Sequence, residues 1–326
     1  MAYTTIDNPE LYFQVKTYTG NGGTQSLTFD GSEDMSPNLV WIKSRSRTDK
    51  HTAWDTVRGT GRCLFPSHTL ADESQSTGVT AFGSDGFSLG AMNDVNYSSA
   101  TFVAWCWKEA SGIFDIVSYT GTGSTTTVAH SLGATPSMIL AKTRDSTTSW
   151  ACHHKSIGNN TVIALNSNSA LQTIAGYWGT PNSSTFGVLV AYDNIISGED
   201  YIAYCFRDVQ GFSKFGSYTG NGSANGTFVY LGFRPAFVLF KGTASNREWI
   251  LADNKRDPHN EVDAVLYANT GDVEGDSDMV DFTSNGFKLR TSAGPGTINT
   301  SGESYIYMAF AEAPFVNSNG VPCNAR

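Results

Sequence analysis

Side chains able to do chemistry are thinly scattered in this sequence. His51-Thr-Ala-Trp-Asp55 with Arg58 places a base, a carboxylate and a cation within eight residues. On a strand, His51 and Asp55 would lie on one face, four residues apart. The same residues also make an ordinary strand edge carrying an Arg–Asp pair, and no catalytic motif surrounds them. His153 and His154 follow Cys152. Adjacent strand residues point to opposite faces, so this pair does not suit one metal ion. Asp272-Val-Glu-Gly-Asp-Ser-Asp278 alternates carboxylates about a glycine, as oxygen-rich calcium loops do. Asp272, Glu274, Asp276 and Asp278 are its candidate ligands, with Ca2+ the ion that hard oxygens suit. The stretch departs from the EF-hand pattern, having Glu274 where Asp is usual and no Glu at the twelfth position. A solvated acidic loop is the competing reading, and no other cofactor is expected.

A second chemistry is stacking. Trp54, Trp150 and Trp249 each follow a lysine-ended apolar run by 8 to 11 residues, and exposed indole rings at such places could stack on sugar rings. The alternative is that they fill a core. Tyr-Thr-Gly-Asn-Gly at 18–22 lacks the ending of a phosphate loop and is read as a turn. No nucleophile elbow, zinc-protease motif or paired-cysteine metal motif occurs.

The elements that must carry these residues come in threes. Tyr18-Thr-Gly-Asn-Gly22 recurs as Tyr119-Thr-Gly-Thr-Gly123 and Tyr218-Thr-Gly-Asn-Gly222. Pro37-Asn-Leu-Val-Trp-Ile-Lys43 answers Pro136-Ser-Met-Ile-Leu-Ala-Lys142 and Pro235-Ala-Phe-Val-Leu-Phe-Lys241, at separations of 99 and 99 residues. Ser84-Asp-Gly-Phe87 answers Ser183-Ser-Thr-Phe186 and Ser284-Asn-Gly-Phe287, and each unit closes on an aromatic run, at 101–107, 201–206 and 305–310. Four landmarks in one order at near-constant spacing define an internal repeat. Short apolar runs bounded by Pro and by Asp-Gly or Asn-Gly turns read as strands. The expected fold is all-β: three tandem homologous β-sandwich domains, jelly-roll-like, packed with short joints. The expected boundaries are an arm at 1–12, copies at 13–110, 111–210 and 211–315, and a loose tail at 316–326. Every position kept in all three copies (turn Gly, Pro before a strand, Lys after it, closing aromatics) has a structural explanation.

Composition narrows the function classes. Of 326 residues, 40% are hydrophobic, 12% aromatic and 16% charged, as in a folded, sheet-rich protein. A net charge of −9 argues against a nucleic-acid partner, which needs clustered Lys and Arg. The absence of a long apolar run argues against membrane insertion. The N-terminus has no basic-then-apolar segment, so no secretory signal is expected. Five cysteines, two of them inside apolar runs, point to buried free thiols made in a reducing cytoplasm.

Several phrases carry a resemblance. They are Tyr-Phe-Gln-Val-Lys-Thr-Tyr-Thr-Gly-Asn-Gly (12–22), Asn-Leu-Val-Trp-Ile-Lys-Ser-Arg-Ser (38–46), Trp-Asp-Thr-Val-Arg-Gly (54–59), Ser-Asp-Gly-Phe-Ser-Leu-Gly (84–90) and Phe-Val-Ala-Trp-Cys-Trp-Lys (102–108). From about residue 12 to 315 the chain resembles a repeated β-domain of unknown function found in tail-fibre-like and other virion proteins of marine bacteriophages and cyanophages. Copy two fits more loosely, lacking the Asp-Gly turn and the Trp-Asp-x-x-Arg-Gly phrase. The resemblance implies a virion protein made in the host cytoplasm, foremost a tail-fibre or tail-associated adhesion component. A head decoration protein is the alternative, then a carbohydrate-binding module for host surface glycan, with a polysaccharide depolymerase last. No catalytic residue carries over, and no enzyme activity is expected. Partners would be other virion proteins, a host glycan, and further copies of the chain in a trimer by analogy with virion symmetry.

Overall fold

A strand that is apolar at consecutive positions is buried on both of its faces. The closing runs of this chain are of that kind, and the structure gives each face a core. The computed structural model describes residues 3–189, 195–244, 246–292 and 298–324, and the chain is all-β. In each repeat four antiparallel strands follow one order. The opening strands (Phe13–Thr19, Phe114–Thr120, Ser213–Thr219) pair with the closing strands (Thr101–Trp107, Asp200–Phe206, Ser304–Pro314). The closing strands pair with the lysine strands (Leu39–Ser44, Met138–Thr143, Phe233–Gly242), and these with fourth strands (Thr52–Asp55, Ala151–His154, Trp249–Asp253). The register is shared too: Leu39 lies opposite Trp107, Met138 opposite Phe206 and Phe237 opposite Phe310.

Alternation then sorts the side chains. Val40, Ile42, Phe102 and Ala104 face a core private to repeat one, closed by a smaller sheet that includes Leu27, Val79 and Phe87. Repeats two and three have private cores of their own, with Ile139 and Ala203 in one and Val238 and Tyr307 in the other. The opposite faces of all three main sheets meet in a single larger core. Leu39, Trp41, Trp105 and Trp107 come from the first repeat, Met138, Leu140, Tyr204 and Phe206 from the second, and Phe237, Leu239, Met308 and Phe310 from the third. At its centre the register-equivalent rings of Trp107, Phe206 and Phe310 touch pairwise, with centroids 6.0, 6.0 and 5.8 Å apart and tilts of 65°, 63° and 68°. Three near-equal contacts among equivalent residues mark a pseudo-threefold axis. The expectation of tandem sandwiches is refined accordingly: the repeats surround one another rather than following in a string.

The joints are short and turned by glycine. Gly112 and Gly211 adopt φ of +76° and +80°, where a side chain would be strained. Glu109 accepts from the Ile116 amide and Asp208 from the Phe215 amide, so both joints carry the same carboxylate brace. In the Tyr-Thr-Gly phrases the Tyr and Thr end the opening strands, and the chain turns from the glycine onward. A Cβ at Gly20, Gly121 or Gly220 would lie 2.3, 2.0 or 2.3 Å from a backbone oxygen, so only glycine fits. Residues of the N-terminal arm reach the end of repeat two and repeat three: Thr4 Oγ1 donates to Gln210 O and Tyr3 OH to Gly232 O, both at 2.8 Å. The C-terminal segment turns back on the same region, where Ser318 bonds Asp7 and Arg234 donates to Asn324 O. The ends of the chain thereby brace each other rather than trailing.

Removing a central ring should weaken every repeat at once. Phe206→Ala is expected to cost about 3–5 kcal/mol and to leave a single calorimetric transition at lower temperature. A separate early melting of one third of the chain would show that the central core does not couple the units.

Candidate functional site

The three contacts between repeats use the same positions. Eight residues after Lys43, Lys142 and Lys241 stand His51, Trp150 and Trp249, each reaching a backbone carbonyl of a neighbouring repeat. His51 Nε2 lies 3.0 Å from Tyr267 O, while Trp150 Nε1 donates to Phe65 O at 3.0 Å and Trp249 Nε1 to Ala164 O at 2.8 Å. The three acceptors are equivalent in register, each following the residue paired with Ala53, Cys152 or Leu251. The bonds run from repeat one to three, two to one and three to two, so they close a ring. Trp41 Nε1 donates to His51 Nδ1 at 2.9 Å, which leaves Nε2 to carry the hydrogen. With both ring nitrogens bonded and burial holding its pKa well below 6.5, His51 is a neutral structural group rather than a base.

Asp55, His154 and Asp253 form the next layer, each touching the closing strand of a neighbouring repeat. Asp55 Oδ2 accepts from Arg58 Nε at 2.6 Å and from Tyr204 OH at 2.7 Å. Asp253 Oδ2 accepts from Arg256 Nε at 2.6 Å and from Trp105 Nε1 at 3.0 Å. The network assigns His154 Nε2 as the donor to Tyr307 O, 3.0 Å away, because Nδ1 accepts from the Ser156 amide. Burial pushes its pKa down to about 3.

In two interfaces the charges continue outward. Arg58 meets Asp72 at 3.3 Å and Asp72 meets Arg144 of repeat two at 3.1 Å. Arg256 meets Glu274 at 3.1 Å and Glu274 meets Arg45 of repeat one at 2.7 Å. Asp72, Leu171 and Glu274 are equivalents, since their amides donate to the matching carbonyls of Arg144, Thr243 and Arg45. The third interface, between repeats two and three, therefore has Ile157, Leu171 and Thr243 where the others have Arg, acid and Arg.

Geometry also accounts for the retained lysines. Each lies at the rim of the shared core with its ammonium on loop carbonyls: Lys43 on Ser44 and Arg47, Lys142 on Thr143 and Ser146, Lys241 on Arg247. Burial lowers the pKa of Lys43 and Lys241 to about 8. These ammonium groups staple the loops that lead into the fourth strands.

Several expected sites need correcting. Trp54, Trp150 and Trp249 are 0%, 1% and 1% exposed, so none can stack on a sugar. Nor are they equivalents: Trp54 lies in the private core of repeat one, whereas Trp150 and Trp249 lie in the shared core, where His51 takes the matching place. Among the described residues, the exposed large rings are Tyr97, Phe228 and Tyr230. The acidic stretch is not a wrapped loop. Gly275–Thr283 is a strand, Glu274 is held by two arginines, and Asp272 accepts from Thr270 Oγ1. Asp276 and Asp278 lie exposed on that strand, and among the described residues no three His, Cys, Asp or Glu side chains gather to hold a metal ion. His153 and His154 point apart, one against Trp178 and one against Phe215. Asp72, Arg45, Arg144 and Tyr204 escape a reading of the sequence, as does the pairing of Glu274 with arginine. Their only signal is the Asp-x-x-Arg spacing shared by repeats one and three.

A family model for a domain of unknown function, DUF7483, matches residues 8–314. The chain belongs to that family. The match spans all three repeats, so the family unit is the whole ring of sheets rather than one copy. No curated protein matches the chain.

Buried neutral histidines make stability depend on acid. His51, His153 and His154 resist protonation when folded, burial being the main cause, but titrate near 6.5 when unfolded. Below about pH 6.5 the unfolded chain binds more protons, and stability falls as pH drops through the window between that value and the folded pKa. Each such histidine contributes a slope of about 1.4 kcal/mol per pH unit. His154→Gln keeps a donor for Tyr307 O and is expected to reduce the loss between pH 7 and pH 5 by about 2 kcal/mol in urea titrations. An unchanged loss would show that His154 is protonated in the fold. Separately, Asp253→Ala strands Arg256 without its main counter-charge and is expected to cost about 3–5 kcal/mol, read by the same titration at pH 7.

Proposed function

We propose that the chain is a structural and binding component of a tailed-phage virion, placed on the tail as a fibre or tail-associated adhesion protein. The observation that carries this reading is where the polar chemistry goes. The buried histidines, lysines and Asp–Arg pairs bond strands, loops and neighbouring repeats, which makes a rigid scaffold. A carboxylate pair facing each other across a cleft, which a depolymerase would need, is not what Asp55, Asp72, Asp253 and Glu274 form; each is bound to arginine. The reading therefore assigns no catalysis. The resemblance of its repeated phrases to virion β-domains supports the setting.

A head decoration role is the second reading, favoured by the closed ring. The longest helix among the described residues has four residues, so they contain no coiled-coil segment of the kind that trimerises a fibre shaft. Because three units already share an axis within one chain, the ring also supports a monomer on a threefold partner over a trimer of chains. The proposed partners are other virion proteins and host surface glycan.

Mass spectrometry of purified virions from a phage encoding this chain should find the protein, and gold labelling should place it on the tail. Label on the head would select the second reading, and absence from particles would defeat both.

A further inference from the structure

We propose that the cleft between repeats two and three is a binding site for an uncharged, hydroxyl-rich ligand, a neutral saccharide unit. The internal symmetry supplies the control. At the other two interfaces the equivalent space is crossed by Arg58–Asp72–Arg144 and Arg256–Glu274–Arg45, with the Arg58 and Arg256 side chains fully buried. Ile157 and Thr243 are shorter than the arginines they replace, Leu171 bears no charge where the others have an acid, and a cavity of about 430 Å³ lies there. That size falls within the range of small-ligand sites.

The lining sets the ligand class. Ser156, Thr161, Ser217, Thr219, Thr243 and Ser304 supply hydroxyl groups, while Ile157, Leu171 and Ile306 supply apolar surface. Thr161 donates its proton to Ile157 O and Gly158 O, and Thr243 donates to Ser304 O, so both hydroxyl oxygens remain acceptors toward the cleft. Ser156, Ser217 and Ser304 are exposed and can turn as donors or acceptors. Alternating hydroxyl and C–H surface matches the two kinds of surface on a sugar ring. No charged side chain lines the cavity, and an ion taken from water without a counter-charge is penalised, which disfavours phosphates, uronic acids and amines. The site deepens the adhesion reading by naming what would be gripped, but its test involves no particle: sugar binding and virion location can fail independently.

The probes are glucose, galactose, mannose, N-acetylglucosamine and their disaccharides, each titrated against the full chain by saturation-transfer NMR and calorimetry. At least one should bind with Kd below about 10 mM. Ile157→Arg with Leu171→Asp and Thr243→Arg rebuilds the ion chain of the other interfaces and should weaken that binding at least about tenfold with the melting transition retained. Ser217→Trp, at an exposed position on the mouth, should do the same should the triple variant fail to fold. The proposal is overturned if no neutral sugar binds, if glucuronic acid or glucosamine binds more tightly than its neutral counterpart, or if a folded variant binds undiminished.

Discussion

The second face of each main sheet is the constraint on which everything else depends. A four-stranded sheet with apolar residues on both sides cannot stop at one sandwich, because half of its side chains would face water. Here that half is buried by bringing three sheets together around Trp107, Phe206 and Phe310. Side chains from every repeat then contribute to one core, and positions far apart in sequence become neighbours. The polar contacts between repeats follow from this packing. Tyr204 reaches Asp55, and Trp105 reaches Asp253, because both rings lie on the inward face of a closing strand.

Those polar contacts do a different job from the core. A buried Asp–Arg pair adds little net stability over a well-packed apolar pair of similar size, since both charges must leave water. What it adds is selectivity. Three sheets of nearly equal shape could slide or rotate against one another at small cost if only hydrocarbon met hydrocarbon. A carboxylate that must meet one guanidinium and one phenol or indole group penalises any shifted arrangement by leaving a buried charge unpaired. His51, Trp150 and Trp249 act in the same direction with uncharged donors.

The sequence made the threefold repeat, the strands, the glycine turns and the buried cysteines legible, because each depends on spacing or on local conformation. All five cysteines are free and four are buried. The central core was written there too, in runs such as Leu39–Ile42 and Phe102–Trp107 that do not alternate, but a private sandwich core explains half of such a run and invites no further question. Trp54 misled for a related reason. Its type matched Trp150 and Trp249 while its spacing from the preceding lysine did not, and on a strand three residues of displacement turn a side chain to the other sheet face. Asp272–Asp278 looked like an ion loop because composition says nothing about partners. Arg45, which takes up Glu274, lies 229 residues away.

Joining the three units through the brief turns at Gly112 and Gly211 alters the kinetics of assembly as well as its geometry. Three separate protomers would come together by encounters that slow as the solution thins, and would drift apart again at low concentration. Here each unit is held beside the next at an effective concentration set by a few residues of backbone. Closure of the ring is therefore a first-order event, and a lone molecule, far from any other copy, keeps its full core.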